Sequence, residues 1–586
     1  MKRVRGMDNN CILTIVDLSW DRIYLTIKVK VEYPCDPTPE TPLVFYGVNK
    51  LMTPRIRFQQ EQDGDFYYLK VNITNQGENI CIPNGEYSIY AFKNGRAVNL
   101  CEASPELVCK LPDHSRNFLY AERSKVYSVT FYVADSEDAL SFRMYVMASE
   151  KTETGAPSSH LFSHKTSLPT ITFNRCSKIL LSALYRSYRK KYRNKAKTAK
   201  TILFMTEQNS TLGTNHLAII KRMQKRGLDK EFNILTSCRS QTAATQSISS
   251  WIKIIRKIAM SGMIILDDHA TILDWLVLDT STSVIQLWHA GAGFKAAGYS
   301  RWGHQGCPPP FSAYRQIRYG ISGSKNIGHF FSEAWGVSTE QVIPTGMPRI
   351  DDYLNSEYRE TTLTQLYEKF PICKNKKVIL FAPTYRGIKK KNAHYPYELI
   401  DFEELYNVCG DEYVVLFKMH PWVKAPVPID EKYKDKFADV NNYPNINDLF
   451  YFTDLLITDY SSNIFEYSLM KKPMLFFAFD KIQYSSSRGF HRPYEESAPG
   501  KVCYDFASVL QAIKEKDFEA YKVQEYVDHH FDYLDTNSSD RVIDWIILGN
   551  IPQEFADNIQ AVKDANDAMR SIKIDWYNDE EAKNKA

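Results

Sequence analysis

The chain of 586 residues lacks three features that would place it in a specialised class of protein. No uninterrupted apolar run approaches the ~20 residues that a membrane-spanning helix needs. The amino terminus, Met-Lys-Arg-Val-Arg-Gly, is basic, but no long apolar region comes after it, so no signal peptide is predicted. The eleven cysteines are scattered and form no Cys-x-x-Cys pair, which argues for reduced thiols in a cytosolic protein and against a zinc site or a disulfide framework.

A large net charge is also missing, because the formal value is only +4. That value hides one concentrated feature. Between Arg175 and Lys200 the sequence has ten Lys or Arg residues and no Asp or Glu. Without this segment the chain has 63 basic and 69 acidic residues, a balance of −6. The sequence therefore describes a mildly acidic protein with one basic belt.

Residues 1–150 predict an all-β, sandwich-like accessory module. From Ile23 to Val31 apolar residues alternate with polar ones, which is the period-two pattern of a half-buried strand. Several similar short runs come next, with turn signals between them, as in β-sandwiches. No cluster of catalytic residue types occurs here, so an accessory or binding role is expected.

Residues 151–200 predict a polar linker followed by a basic amphipathic helix. Apolar residues and tyrosines recur at helical spacing between Ile179 and Tyr192, interleaved with Lys and Arg. A basic helix with such a face suits an anionic membrane surface. A solvated helix between domains and a nucleic-acid-binding stripe are the two alternatives.

From Thr201 onward short apolar strands alternate with helical intervals, which predicts two Rossmann-like domains at 201–350 and 351–548. Residues 549–586 predict a helical tail. The fold class is therefore α/β, with parallel sheets whose carboxyl ends face a shared cleft. The strands are expected at Ile202–Thr206, Phe232–Leu235, Met263–Leu266, Val284–Leu287, Arg318–Ser322, Gln341–Pro344, Val378–Ala382, Tyr413–Phe417, Leu455–Thr458 and Met474–Ala478.

The stretch from Asp454 to Asp480 predicts a phosphate site. A buried strand ending at Thr458 leads through Asp459 into Ser461 and Ser462, and a helix is expected from Ile464 to Met470. Such a unit points free N–H groups and a partial positive charge beyond the end of the strand. The alternative is that this turn merely caps the helix, with Asn463 and Glu466 forming a capping-box pair.

Other polar side chains also come directly after predicted strands, where open α/β sheets place their ligands. Each one alone is as consistent with a structural role, but their joint occurrence in two paired domains indicates a site. These residues are His289, Lys295, Arg386, His420 and Arg488.

The motifs around these positions resemble those of the CDP-glycerol glycerophosphotransferase family, the teichoic acid polymerases of Gram-positive cell walls. The resemblance covers about 200 to 548 and implies a GT-B-like pair of domains. The segment from His289 to Tyr299, with Ala290 and Gly291, looks more like the ribitol-phosphate branch, and the β-rich module is also similar to that branch. The motifs are Trp288-His289-Ala-Gly, Gly346-Met-Pro-Arg349, Ala382-Pro-Thr-Tyr-Arg386, Met419-His420-Pro421, Thr458-Asp459-Tyr460-Ser461-Ser462, Lys472-Pro473 and Arg488-Gly489-Phe490.

The resemblance implies transfer of ribitol phosphate or glycerol phosphate from a CDP-activated donor to a lipid-linked polymer, with release of CMP. His289 is then expected to take the proton of the attacking hydroxyl. Asp459 is expected to organise its loop, and Thr458 belongs to the same donor-side set. The groups expected to hold the diphosphate are His420, Arg386, Ser461, Ser462 and Arg488, with Lys295 assisting.

The same resemblance implies a peripheral enzyme at the cytoplasmic face of the cell membrane, held there by residues 175–200, with no nucleic-acid partner. His and acidic residues show no metal-ligand spacing, although a divalent cation bridging the diphosphate is compatible with the scheme. Two other functions stay open from the residues alone. One is a GT-B glycosyltransferase that uses a nucleotide sugar, and the other is a non-catalytic surface-binding or nucleic-acid-binding protein.

Overall fold

The structure is a computed structural model that describes residues 11–32, 42–49, 55–76, 80–93, 96–120, 125–136, 139–150, 168–239, 247–291, 295–304, 306–387 and 390–556. Most of the predicted linker, 151–167, and most of the predicted tail, 557–586, therefore lie outside the described residues. Within these ranges the strands form three sheets.

The amino-terminal part is strand-rich, as its alternating sequence predicts. Leu25, Ile27 and Val29 are fully buried, whereas the residues between them are half-exposed. Two one-turn helices, α1 (Pro105–Val108) and α2 (Leu111–His114), interrupt the strands. The strands are β1 (Ile12–Asp21), β2 (Tyr24–Glu32), β3 (Val44–Asn49), β4 (Arg55–Arg57), β5 (Gln59–Asp63), β6 (Phe66–Asn72), β7 (Gly85–Lys93), β8 (Arg96–Leu100), β9 (Glu102–Ala103), β10 (Arg116–Tyr120), β11 (Lys125–Ser136) and β12 (Ala139–Glu150).

All twelve strands belong to one hydrogen-bonded network, which we call the β module. Its main path runs β4-β3-β7-β12-β9-β1-β2-β6-β5, and β8, β10 and β11 pair beside it. Pairing is antiparallel except between β1 and β9. The strand-rich module is thus present, but the sandwich-like arrangement expected from the sequence is not confirmed.

The basic segment forms helix α3 (Leu168–Tyr192), followed by the short helix α4 (Ala196–Ala199). The sequence suggested that the apolar and tyrosine-bearing face of α3 suits a membrane, and the structure differs on this point. Tyr185 is buried, and Leu181, Leu184, Tyr188 and Tyr192 pack against the protein core. Most of that face is used for docking, because it covers apolar surface of the neighbouring sheet domain. Ile179 and Leu180 are exposed. The described basic side chains of α3 are exposed except that of Arg189, which is buried.

The first lobe, residues 201–353, contains a parallel six-stranded sheet in the order β14-β13-β15-β16-β17-β18. Helices α5 (Thr214–Lys225), α6 (Ile248–Met260), α7 (Ile272–Trp275), α8 (Gly328–Trp335) and α9 (Ile350–Tyr353) accompany it. The strands are β13 (Thr201–Thr206), β14 (Asn233–Cys238), β15 (Met263–Leu266), β16 (Ser283–Gln286), β17 (Tyr319–Ile321) and β18 (Val342–Ile343).

The second lobe, residues 356–515, contains another parallel six-stranded sheet, in the order β21-β20-β19-β22-β23-β24. Its strands are β19 (Lys377–Phe381), β20 (Tyr413–Phe417), β21 (Phe437–Asp439), β22 (Thr453–Thr458), β23 (Met474–Phe477) and β24 (Lys501–Cys503). Its helices are α10 (Ser356–Lys369), α11 (Phe402–Cys409), α12 (Ile446–Leu449), α13 (Ile464–Ser468), α14 (Lys481–Arg488), α15 (Tyr494–Ser497) and α16 (Phe506–Glu515). All six strands of the first lobe and four of the six in the second were predicted, whereas β21 and β24 were not.

After the second sheet the chain returns to the first lobe through α17 (Tyr521–His530), α18 (Ser538–Arg541) and a π-helical turn, Val542–Ile547. Arg226, at the end of α5, pairs with Asp540 at 3.1 Å and with Asp544 at 2.6 Å. Asp351 accepts backbone N–H groups of Ser538 and Ser539 at 2.8 and 2.7 Å. These contacts hold the returning segment against the first lobe. A last helical turn, α19 (Gln553–Ala556), ends the described part.

The β module packs directly on the first lobe. Trp302 stacks on Tyr120 with ring centroids 5.6 Å apart. Arg315, which is fully buried, donates to the Thr74 carbonyl of the module and to the Gly336 carbonyl of the first lobe. One continuous apolar core runs through both parts. The module is therefore fixed relative to the first lobe.

Within the residues that the structure describes, no helix has the length and apolar character needed to cross a membrane.

Candidate active site

A cavity of about 540 Å³ lies between the two lobes, at the carboxyl ends of both sheets. Residues of both lobes line it, in agreement with the rule that open α/β sheets bind ligands beyond the ends of their strands. Five of the predicted site residues line this cavity: His289, Lys295, His420, Ser461 and Ser462.

His289 comes after β16 and is held by a carboxylate from the loop after the neighbouring strand. Its Nδ1 lies 3.3 Å from Oδ2 of Asp268 and 3.3 Å from the Asp267 carbonyl. Both partners accept hydrogen bonds, so they place the ring proton on Nδ1 and leave Nε2 as an acceptor. The side chain is 54% exposed. This is the arrangement of a general base oriented by a carboxylate.

Two hydrogen bonds fix the backbone at His289. Asn215 donates to the Trp288 carbonyl at 2.8 Å, and Arg349 donates to the His289 carbonyl at 2.5 Å. Trp288 itself has a φ of +56°, in the left-handed region that a bulky residue rarely adopts. This strained backbone is held by its neighbours and aims His289 at the cavity.

His420 comes after β20 and lies in a contrasting environment. Its Nδ1 accepts the backbone N–H of Trp422 at 3.2 Å, so the proton of the neutral ring is on Nε2. Burial lowers the pKa of His420 to about 4, and the charges of Lys295 and Arg488 act in the same direction. His420 is therefore neutral at pH 7, with Nε2–H as a hydrogen-bond donor.

Lys295 and Arg488 bring positive charge to the same region. Lys295 pairs with Phe490 in an isolated bridge between the lobes. Burial lowers the pKa of Lys295 to about 8, against the opposing effect of Asp459. Arg488 donates to the Gly387 carbonyl at 2.8 Å, and its guanidinium carbon lies 5.2 Å from the centre of the Tyr385 ring. Lys295 and His420 line the cavity and would meet a diphosphate there, whereas Arg488 lies behind the lining and acts through its charge on His420.

Ser461 and Ser462 lie at the cavity wall after β22, half-buried. The helix after them, α13, is shorter than predicted and spans only Ile464–Ser468. The Asn463–Glu466 capping-box pair is absent, because Asn463 makes no side-chain capping bond and Glu466 pairs with Arg349. Ser461 Oγ does accept the Asn463 backbone N–H at 3.3 Å, so this hydroxyl also supports the turn. Because α13 is so short, the contribution of its helix dipole to ligand binding is small. The hydroxyl groups of Ser461 and Ser462 are the groups of this turn that a ligand in the cavity can contact.

Thr458 and Asp459 organise the loops behind the cavity. Thr458 Oγ1 donates to the Ala382 carbonyl at 2.8 Å. Asp459 is fully buried and accepts the Thr384 N–H at 2.8 Å and the Tyr460 N–H at 2.5 Å. These bonds give Asp459 the geometry of a loop organiser rather than of a base.

Arg386 has different binding partners from the phosphate that its motif suggested. Its guanidinium binds Asp480 in a bidentate manner at 2.6 and 2.9 Å, and Asp459 at 2.9 Å. Burial disfavours the charged form, but the two carboxylates outweigh it and raise the pKa of Arg386. The bidentate contact expected for a phosphate is thus made with a carboxylate, because Asp480 follows β23, which lies two strands away from β19 in the same sheet.

A buried ion pair joins the two halves of the site. Arg349, from the turn after β18, binds Glu466 of α13 at 2.8 Å through Nε. Gly291 lies against Phe465 so closely that an added Cβ would come within 2.0 Å of the ring. This glycine allows the His289 segment to approach the second lobe.

Sequence reasoning missed several residues of the site. Asp268 had a signal, since Asp267-Asp268-His269 comes directly after the apolar strand β15. His491 lines the cavity and binds Glu333 of α8 at 2.7 Å, and no local pattern indicated that pair. Within the described ranges no group of three or more His, Cys, Asp or Glu residues is arranged to hold a metal ion.

Comparison with known proteins assigns the chain to a family. The family model described as CDP-Glycerol:Poly(glycerophosphate) glycerophosphotransferase matches residues 187–548, more than half of the 586 residues. In Staphylococcus aureus (strain NCTC 8325 / PS 47), the teichoic acid ribitol-phosphate polymerase TarL is 38% identical over 349 residues, 59% of this chain and 62% of TarL. The ribitol-phosphate polymerase TarK of the same strain is 34% identical over 424 residues, 71% of this chain and 81% of TarK.

A third relative is the teichoic acid poly(ribitol-phosphate) polymerase of Bacillus spizizenii (strain ATCC 23059 / NRRL B-14472 / W23), 37% identical over 354 residues, 60% of this chain and 56% of that protein. The chain thus spans less than two thirds of TarL and of this polymerase. Among solved structures, a variant of the wall teichoic acid polymerase TagF has a TM-score of 0.50 and 21% identity, covering 66% of this chain and 98% of that chain, which shows a shared fold. The protein belongs to the CDP-glycerol:poly(glycerophosphate) glycerophosphotransferase family.

Proposed function

We propose that this protein transfers ribitol phosphate from CDP-ribitol to a hydroxyl of a lipid-linked polymer and releases CMP. The observation that carries the proposal is the contrast across one cavity. The first lobe contributes His289, whose Nδ1 is bound by a carboxylate and whose Nε2 is left as an acceptor. The second lobe contributes neutral His420 and the Ser461 and Ser462 hydroxyls, and Lys295 lines the same cavity. Base and anion-binding groups are what such a transfer needs.

In the proposed reaction the acceptor oxygen attacks the distal phosphorus of the diphosphate. A new P–O bond forms, and the P–O bond to CMP breaks. The proton of the attacking hydroxyl goes to Nε2 of His289, and the charge that develops on the departing CMP is stabilised by Lys295 and His420. Positioning and charge stabilisation dominate such phosphoryl transfers.

Ribitol is preferred over glycerol as the polyol because of the relatives. Polymerases named for ribitol phosphate are 34–38% identical over 349–424 residues. A poly(glycerol phosphate) polymerase from Staphylococcus epidermidis is 33% identical over only 217 residues. The resemblance of the Ala290-Gly291 segment to the ribitol branch points the same way.

The test is incubation of the purified protein with a lipid-linked acceptor and either CDP-ribitol or CDP-glycerol, with and without Mg²⁺. CMP release and the mass of the lipid-linked product are measured. The proposal expects CMP and a product mass increased by ribitol phosphate units. Release of nucleotide only from a nucleotide sugar would replace it by the glycosyltransferase alternative.

We further propose that the exposed face of α3 holds the protein at the cytoplasmic surface of the anionic membrane that carries the acceptor. We expect this binding to come from electrostatic attraction rather than from insertion into the bilayer, because most of the apolar face of α3 is docked on the first lobe. Each basic residue near an anionic surface contributes about 1 kcal/mol. The exposed basic residues of α3 and the segment after it are Lys178, Arg186, Lys190, Lys191, Arg193, Lys195, Lys197 and Lys200.

Flotation with vesicles containing anionic lipids tests this docking. A variant in which Lys178, Arg186, Lys190 and Lys191 are changed to Gln should float much less than the unmodified protein, and high salt should have the same effect. Arg189 is left unchanged, because it is buried and donates to the Ala259 and Ser261 carbonyls at 3.1 and 3.0 Å. Equal flotation of both proteins would leave α3 as a solvated helix.

A further inference from the structure

One buried carboxylate connects the β module with the cavity. Glu333 of α8 has a side chain that is only 6% exposed. The Tyr24 hydroxyl donates to its Oε1 at 2.8 Å, and Nη1 of Arg22 lies 3.2 Å from its Oε2. His491, which lines the cavity, lies with Nε2 at 2.7 Å from the same Oε2. Arg22 and Tyr24 lie at the turn between β1 and β2, so the module reaches the site through Glu333.

The charges in this set determine the state of His491. Burial acts to raise the pKa of Glu333, but the hydrogen bonds from His491 and the Tyr24 hydroxyl and the charge of Arg22 lower it, so the carboxylate is ionised at neutral pH. Burial lowers the pKa of His491, Glu333 opposes this, and Arg22 and Arg492 lower it further. Since Arg22 already balances the carboxylate, the imidazole need not be protonated.

The hydrogen bond then fixes the tautomer. An ionised carboxylate only accepts, so the single proton of a neutral His491 ring is on Nε2, towards Glu333. Nδ1 keeps its lone pair and is the ring nitrogen left for the cavity. The ring is also held in place by Phe330, whose centroid lies 5.0 Å away in an edge-to-face arrangement.

The chemistry of Nδ1 complements the other cavity groups. Lys295 and His420 are donors, which suit phosphate oxygens. An acceptor nitrogen instead suits a hydroxyl group. Arg315 and Trp302 of the first lobe make buried contacts with the β module, and these contacts hold the module in place. Arg22 is therefore positioned beside Glu333 before any ligand binds.

We propose that Arg22 and Tyr24 of the β module are positioning residues of the active site, which hold Glu333 so that neutral His491 accepts a hydrogen bond from a polyol hydroxyl through Nδ1. The identity of that hydroxyl as part of a polyol rests on the proposed function. The state of His491 does not, and it can be measured without any turnover.

The first arm of the test is NMR of the full-length protein labelled with ¹⁵N-histidine. The His491→Asn variant assigns the His491 signals, and His329, the other imidazole that faces Glu333, is assigned in the same way. We expect a neutral ring protonated on Nε2 at pH 7. Arg22→Ala should raise the His491 titration midpoint by about 1 unit, because Glu333 then lacks its cation, and Arg22→Lys should restore it.

Arg143→Ala is the matched control, because Arg143 pairs with Glu86 inside the same module at 3.6 Å. It should leave the His491 titration unchanged. A charged His491 in the unmodified protein at pH 7, or a midpoint that Arg22→Ala does not move, would overturn the proposal. Both results can be read even if the protein turns over no CDP-polyol, so the two proposals fail separately.

The second arm is kinetic. Tyr24→Phe and Arg22→Ala should each lower kcat/KM for the CDP-polyol about tenfold, the effect of one weakened hydrogen bond. The affinity for CMP, which carries no polyol, should stay unchanged. An equal loss in Arg143→Ala, or a parallel loss of CMP affinity, would contradict a role in placing the polyol.

Discussion

The two lobes each present one histidine to the same cavity, and their surroundings are opposite. His289 of the first lobe is 54% exposed and bound through Nδ1 to the Asp268 carboxylate. His420 of the second lobe accepts a backbone N–H through Nδ1 and lies near Lys295 and Arg488, which help to lower its pKa to about 4. Residue type alone therefore does not assign a role. In the proposed reaction, the partner of Nδ1 is what suits His289 to act as a base and His420 to act as a neutral donor.

The same contrast extends to the arginines. Arg349 of the first lobe forms an ion pair with Glu466 of the second lobe and so links the two lobes. Arg386 instead forms ion pairs within the second lobe, with Asp459 and Asp480. Arg488 and Lys295 remain as cations whose charge acts on His420. The proposed anion site is thus smaller than the motifs suggested.

Replacement of the base should have the largest effect. His289→Ala is expected to lower kcat by about 10²- to 10⁴-fold, the usual contribution of general base catalysis. Donor affinity should be nearly unchanged, because Lys295 and His420 stay in place. CMP release and calorimetric titration with CDP-ribitol measure the two quantities. His114→Ala, in the β module, is the control, and full activity of His289→Ala would refute the assignment.

Removal of Arg386 should act mainly on stability. Arg386→Ala leaves two buried carboxylates without their cation, and we expect a loss of about 3–5 kcal/mol in the free energy of unfolding. Urea denaturation measures it. If the variant keeps its stability and loses only donor affinity, Arg386 contacts the phosphate after all, as the sequence motif implied.

Loss of the neutral donor should have a moderate effect. His420→Ala is expected to weaken donor binding and lower kcat/KM by about 10- to 100-fold, the effect of one hydrogen bond to a charged group. His420→Gln keeps an N–H donor and should recover most of this loss. If His420→Gln recovers nothing and both variants bind the donor normally, His420 instead transfers a proton.

Asp268→Asn should have a smaller effect than His289→Ala. The Asp267 carbonyl also accepts from Nδ1 of His289, so the productive tautomer is partly retained. We expect kcat to fall by about tenfold with unchanged KM. Steady-state kinetics check this, and a loss as large as that of His289→Ala would show that the carboxylate does more than orient the ring.

The smallest expected effect is on the pH dependence of stability. The pKa of His420 is lower in the folded protein than the ordinary value of about 6.5. The unfolded chain therefore binds the proton first as the pH falls, and the folded state loses stability between about pH 6.5 and 4. His420→Gln should lose less stability over this range. Identical pH profiles would contradict a neutral His420.

The strand framework could be predicted from the sequence because it is local. The strand Tyr413–Phe417 was predicted to the residue, and most others within one or two residues. Once the strands were predicted, the side chains that follow them, such as His289 and His420, could also be predicted as site residues. Contacts between distant parts of the chain could not be found in the same way. Arg22 and Glu333 are 311 positions apart, and the docking of the β module brings them together.

Arg386 shows the complementary limit. Its motif predicts a guanidinium after a strand, which is correct, but its partner depends on residues that follow another strand of the same sheet, two positions away. Asp480 lies just beyond β23 and binds Arg386 in a bidentate manner, in the place of a phosphate. The apolar face of α3 illustrates the same point, because periodicity reveals such a face but not whether a membrane or the protein covers it.

The most direct measurement is a structure of the His289→Ala variant with CDP-ribitol, in which the donor binds but is not consumed. The account predicts the diphosphate between His420, Lys295 and the Ser461 and Ser462 hydroxyls, with the distal phosphorus towards position 289 and a polyol hydroxyl near Nδ1 of His491. A diphosphate bound outside this cavity, or with its distal phosphorus turned away from position 289, would contradict it.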